Sequence, residues 1–89
     1  MSTTIQTPQE VVQRGLELYD QQIRSQVEAG NQGKFLVINT ETGDYELDTD
    51  DVAAAKRAKS RFGDALLFSM RVGHPAAYRL GSRRIVKSV

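Results

Sequence analysis

No cysteine and no tryptophan occur among the 89 residues, there is a single histidine, and prolines number only two. Each scarcity excludes something. Without cysteine there is no disulfide framework, no thiolate metal site and no cysteine nucleophile. The longest apolar runs, Phe35 to Ile38 and Ala65 to Phe68, fall far short of the roughly 18 residues that a membrane span needs. The N-terminus, Met1-Ser2-Thr3-Thr4-Ile5, lacks the basic and apolar regions of a signal peptide. A soluble, cytoplasmic protein is the expectation. Gly-rich phosphate loops, Ser-His-Asp arrangements and His/Cys metal spacings are also missing. Neither a catalytic residue, a cofactor nor a metal is assigned.

What is present is charge, divided unevenly. Through Asp50, three basic residues face nine acids, a net of −6, whereas residues 51–89 carry nine Lys or Arg against Asp51 and Asp64, a net of +7. Such an asymmetry orients association or builds a basic face for a polyanion, unless opposite charges simply meet on solvated faces. A chain of this length forms one domain with a small core, because it buries only roughly 60–65% of its unfolded surface.

Residues 1–7 read as a frayed terminus, with Thr7-Pro8-Gln9-Glu10 supplying an N-cap, a proline at the first helical position and a capping box. Val12, Leu16, Tyr19, Ile23 and Val27 then form one stripe of a helix running to about Ala29. That helix spans on the order of 33 Å, longer than the strands it must cover, so it overhangs, bends or packs on a second copy. Val11 and Leu18, beside the stripe, widen its apolar face for a partner, and Gly15 allows a close crossing. Phe35 to Ile38 is apolar on both faces, as a covered central strand is. Thr42-Gly43 turns the chain into Tyr45 to Leu47, whose alternating Asp44 and Glu46 mark a charged edge strand. Asp48 is the expected N-cap of a second helix with a buried face of Val52, Ala55, Ala58 and Phe62, stopped by Gly63.

The third strand, Ala65 to Val72, places Leu66, Phe68, Met70 and Val72 on one face. Gly73-His74-Pro75 makes a turn, and Ala76 to Leu80 is a second edge strand. Residues 83–89 form a basic tail or a short fifth strand, leaving 8–82 as a single domain. The order α-β-β-α-β-β, with a right-handed crossover that skips the first strand, predicts an α+β fold. Its four-stranded antiparallel sheet has the order 2-1-3-4. Two helices make it a two-layer sandwich, or a three-layer one if they take opposite faces.

Three groups of residues are candidates for chemistry. His74, near Arg71, Arg79 and Tyr78, resembles the equipment of a metal-free nuclease, although a histidine in a turn often does no more than cap the loop. The acids Asp44, Glu46, Asp48, Asp50 and Asp51 lack the spacing, glycine and closing glutamate of a calcium loop, and edge protection with helix capping accounts for them. Arg79, Arg83, Arg84 and Lys87, with Lys56, Arg57, Lys59 and Arg61 alongside, make the best polyanion surface, but the aromatics fall mainly on core faces.

The stretches Gly33-Lys34-Phe35-Leu36-Val37-Ile38-Asn39-Thr40-Glu41-Thr42-Gly43-Asp44-Tyr45-Glu46 and Met70-Arg71-Val72-Gly73-His74-Pro75-Ala76-Ala77-Tyr78-Arg79-Leu80-Gly81 resemble a family of small uncharacterised bacterial proteins, frequent in cyanobacteria. That family carries a "GK-hydrophobic-ETGDYE" block and a "RVGH-x-AAYR-x-G" block. Some members are encoded beside small retroviral-type aspartic-protease-like proteins, in an arrangement like a toxin–antitoxin pair, so the resemblance implies a partner-binding module. Pro75 stands where that pattern has arginine or lysine, which makes the loop less basic.

These readings converge on a small non-enzymatic module that binds a protein partner or a second copy of itself, with an antitoxin-like or regulatory role. Its expected contact residues are Val11, Leu18, Arg71, His74, Tyr78, Arg79, Arg83 and Arg84. The alternative is nucleic-acid binding through the basic C-terminal half, followed by the metal-free nuclease.

Overall fold

A computed structural model describes residues 7–81. The expectations for residues 1–6 and for the basic tail, Arg83 and Arg84 included, lie outside the described residues. The first helical rod comprises α1 (Pro8–Leu18), a π-helical turn (Tyr19–Ile23) and α2 (Arg24–Val27). Strands β1 (Phe35–Asn39) and β2 (Tyr45–Asp48) follow, then α3 (Asp51–Phe62), β3 (Leu67–Arg71) and β4 (His74–Gly81). The sheet is antiparallel in the order β2-β1-β3-β4, as the topology rules predict. Among the described residues no helix is long and apolar enough to cross a membrane.

The two helical units lie on opposite faces of the sheet, which makes three layers. Alternation along each strand decides this. Leu36, Ile38, Phe68 and Met70 turn to the rod, while Val37 packs with Ala54 and Ala58 of α3, flanked by Phe35, Phe62 and Leu67. The Thr7 hydroxyl accepts the Glu10 amide, and the Glu10 carboxylate accepts the Thr7 amide, so the capping box closes as expected. Gly43 has a φ of +88°, the left-handed conformation that this hairpin requires. Beside it, the Thr40 hydroxyl donates to the Leu66 carbonyl at 2.7 Å and Glu41 accepts the Leu66 amide, which ties the hairpin to the approach of β3.

The phase of both helical units and the position of the last turn differ from expectation. In α1 the buried positions are Val11, Gly15 and Leu18, one residue out of step with the stripe expected from Val12 and Leu16, which are half-buried. Val11 and Leu18, at 0% and 2% exposure, are therefore core residues and not a partner-facing flank. The cause is Gly15: a Cβ there would overlap the ring carbons of Phe68, so the aromatic ring sits directly on the helix backbone and draws this side of α1 to the sheet. On an uninterrupted α-helix Val11 and Val27 would then lie about 160° apart. The π-helical turn inserts one extra residue, which takes up about 100° and returns Ile23 and Val27 to the core.

In α3 the N-cap is Asp50, whose side chain accepts from the Ala53 amide at 3.0 Å, and not Asp48. Asp48 instead accepts the Asp50 amide within the preceding turn. With the start displaced, the buried pair is Ala54 and Ala58, while Val52 is 59% exposed and Ala55 faces solvent. Finally, the hairpin turn between β3 and β4 is Val72-Gly73, so His74 opens the last strand opposite Arg71. Pro75 falls in the register shift between the Ser69 and Arg71 rungs, where a missing donor is tolerated.

Gly15→Ala tests the seat of Phe68. Alanine is about 1 kcal/mol better than glycine in a helix interior, yet forcing the ring away should give a net loss of about 1–3 kcal/mol. A lower urea midpoint is expected. A raised midpoint would show that the ring does not depend on the bare backbone.

Candidate functional site

The site arises from what α3 leaves uncovered. Arg57 binds Glu46 at 3.2 Å and Asp48 at 3.1 Å, and Arg61 binds Glu46 at 2.6 Å. The same guanidinium groups donate to the carbonyls of Leu47 and Tyr45. Because Asn39 takes the Asp44 carbonyl in the ladder, strand alternation turns the Tyr45 and Leu47 carbonyls to the outer edge. The arginines thus occupy acceptors that an added strand would need, and they hold α3 over β1 and β2. Two alanines make a contact too narrow to reach further across the sheet.

On the same face, the β3–β4 half stays open. Two rungs cross it, Val37-Ser69-Arg79 and Phe35-Arg71-His74. All of these but His74 border a groove of about 310 Å³ lined also by Asp51 and Tyr78. The Arg71 guanidinium lies 5.1 Å from the centre of the Phe35 ring, and its Nε donates to the Gly33 carbonyl at 3.3 Å. Across the groove, Arg79 donates to Asp51 in the first turn of α3. Tyr78 is 43% exposed and its ring stacks on Phe68, with centroids 5.4 Å apart. Val52 and Tyr78 are the exposed large hydrophobics among the described residues, one following Asp51 and the other preceding Arg79.

Of the expected contact residues, Arg71 and Arg79 border the groove, His74 pairs with Arg71 on the ladder outside its lining, and the Tyr78 ring stacks on Phe68, which faces the rod. Val11 and Leu18 lie in the core of the opposite face, and Arg83 and Arg84 are outside the described residues. Arg57 and Arg61, expected beside a polyanion surface, are held by the acids of β2. Phe35 and Ser69 were not among the candidate site residues, and Asp51 was named only within the acidic group ascribed to edge protection and helix capping. A signal was there in the polar Ser69 and Arg71, which share the strand face opposite Phe68 and Met70.

A larger and shallower depression of about 510 Å³ lies at the end of the rod, lined by Asp20, Arg24, Ser25, Glu28, Ala29 and Gln32. Its charges satisfy one another: Arg24 meets Asp20 and Glu28 at 3.1 Å each. Tyr19, buried at the π-helical turn, donates to Glu28 at 2.8 Å and accepts the Gly73 amide at 3.1 Å, fastening the β3–β4 turn to the rod. Burial pushes the Tyr19 hydroxyl up from its ordinary value. The hydrogen bond from Tyr19, reinforced by Arg24, holds the Glu28 carboxyl below its ordinary range. This depression is a structural brace, and the groove beside α3 is the candidate site.

The brace has a pH signature. A carboxyl whose folded-state value is lowered takes up fewer protons folded than unfolded, so its contribution is complete above the ordinary carboxylate range and is lost as pH falls through the lowered value. Glu28 acts in this way, and so does Asp48, held low chiefly by the Asp50 amide. Tyr19→Phe should reduce stability at neutral pH by about 1 kcal/mol, through the orphaned Gly73 amide, and flatten the acid-side decline. Urea titrations between neutral pH and pH about 3, below the carboxylate range, check both; parallel wild-type and variant curves would contradict the assignment to Glu28. No protein-family model, curated protein or solved structure matches the chain.

Proposed function

We propose that the chain is a small binding module that docks a segment of another protein in the open half of the sheet beside α3, in the regulatory, antitoxin-like manner implied by the sequence resemblance. The observation that carries this reading is the groove itself. An apolar floor of Phe35 and Val37 lies between Arg71 and Arg79, with Ser69 and Asp51 beside it. Partly exposed apolar groups flanked by polar donors are the usual composition of a recognition surface. At about 310 Å³ the groove suits a short segment. Nucleic-acid binding is less well supported, because Arg57 and Arg61 face carboxylates of the same chain.

Ser69→Trp tests the surface. Ser69 lies on the groove floor, half-buried on a strand, where tryptophan is well tolerated and fills the space. Peptides selected from a displayed random library on the wild-type chain should bind the folded variant at least about tenfold more weakly, a difference of about 1.4 kcal/mol. Failure to enrich any peptide, or equal binding to both chains, would overturn the reading.

A further inference from the structure

We infer that the docked segment is acidic and extended, with carboxylates two residues apart that take the place of Asp51 on Arg79 and engage Arg71. This rests on the docking surface proposed above and names its ligand class. Arg79 already holds a carboxylate, that of Asp51, at the rim of the groove. Arg79 is largely exposed and Asp51 partly so, and solvated ion pairs of this kind exchange with water, salt and other anions. Asp51 therefore acts as an internal occupant of the site that a ligand displaces. It does not supply the helix cap, which belongs to Asp50.

Arg71 supplies the second anchor. Its guanidinium rests on Phe35, and the Gly33 carbonyl takes only its Nε. A stacked guanidinium keeps its in-plane donors available and loses little freedom when it grips a carboxylate. Arg79 pairs with Ser69 across the ladder, so Arg71 is its diagonal neighbour, at about 7–8 Å between backbones. Alternate residues of an extended peptide are about 6.6–6.8 Å apart and project to one side. Two acids separated by one residue match the two arginines.

Two other occupants fit less well. A nucleic acid needs aromatic faces for its bases, but Arg71 covers the Phe35 ring and Tyr78 stacks on Phe68. A second copy would have to offer free acids at that spacing. Within this chain, Glu46 and Asp48 of the alternating run are held by Arg57 and Arg61.

Fluorescence polarisation with a labelled short peptide of alternating glutamate and valine tests the inference against the same peptide with glutamine in place of glutamate. The glutamate peptide should bind at least about tenfold more tightly, and Arg71→Ala and Arg79→Ala should each weaken it by about tenfold, as loss of a charged hydrogen-bonding partner does. Asp51→Asn, and equally Asp51→Ser, should tighten it several-fold by removing the internal competitor, with circular dichroism confirming the fold. Unchanged or weaker binding by both Asp51 variants overturns the inference. So does tighter, steeply salt-dependent binding of a labelled single-stranded oligonucleotide, or self-association that excludes the peptide. Equal binding of both peptides, still abolished by Ser69→Trp, would leave the docking surface standing and remove its acidic preference. If neither peptide binds, the acidic preference fails, and the library selection decides the docking surface by itself.

Discussion

The ring of Phe68 resting on the bare backbone of Gly15 fixes the relation between the rod and the sheet. A fully buried phenylalanine contributes roughly 1.5–3 kcal/mol through burial alone, and here it also allows the helix backbone to approach the strand closely. Once Gly15 must face Phe68, Val11 and Leu18 are carried into the core beside it. The second half of the rod must then be brought back into phase, because Tyr19, Ile23 and Val27 have the apolar side chains that the rest of the sheet face needs. The π-helical turn does this with one extra residue. It also places the Tyr19 hydroxyl between Glu28 and the Gly73 amide, so the correction of phase and the fastening of the β3–β4 turn share one residue.

On the other face, electrostatics decides where the helix lies. The uneven charge of the chain resolves largely within the fold, since the basic half of α3 closes on the acidic β2 strand. Each exposed pair contributes little by itself, but Arg57 reaching three acceptors and Arg61 two set the position of a helix whose buried apolar contact is Ala54 and Ala58. Drawn toward β2, the helix cannot also cover β3 and β4. The same placement that protects one sheet edge therefore opens the groove, and it brings Asp51 within reach of Arg79.

The sequence made legible whatever depends on regular local geometry. The capping box at Thr7, the left-handed Gly43, the alternation of Leu66, Phe68, Met70 and Val72, and the strand order all follow from short-range rules and topology. A stripe drawn with a constant 3.6-residue period could not anticipate one inserted residue, so Val12 and Leu16 were favoured over Val11 and Gly15. Glycine is invisible to a hydrophobic pattern, although here its lack of a side chain is what is buried. At the start of α3, Asp48, Asp50 and Asp51 all qualify chemically as caps, and the choice of Asp50 moves the buried face from Val52 to Ala54. Of the site, Arg71 and Arg79 were visible within the basic stretch that also holds His74 and Tyr78. The floor was not, because whether Phe35 and Ser69 are covered depends on how far across the sheet α3 reaches.

A groove formed by incomplete coverage separates stability from recognition. Ser69, Arg71, Arg79 and Asp51 are all at least partly solvated, so altering them disturbs few buried contacts. The core residues opposite, Phe68, Leu36 and Ile38, pack their side chains on the rod face of the sheet. Phe35 belongs to both sets. It packs against the small Val37-Ala54-Ala58 cluster that seats α3 and also supports the Arg71 guanidinium from below. A change at Phe35 would therefore alter the position of the helix and of the arginine together, so the geometry of the groove depends on the packing of the layer that leaves it open.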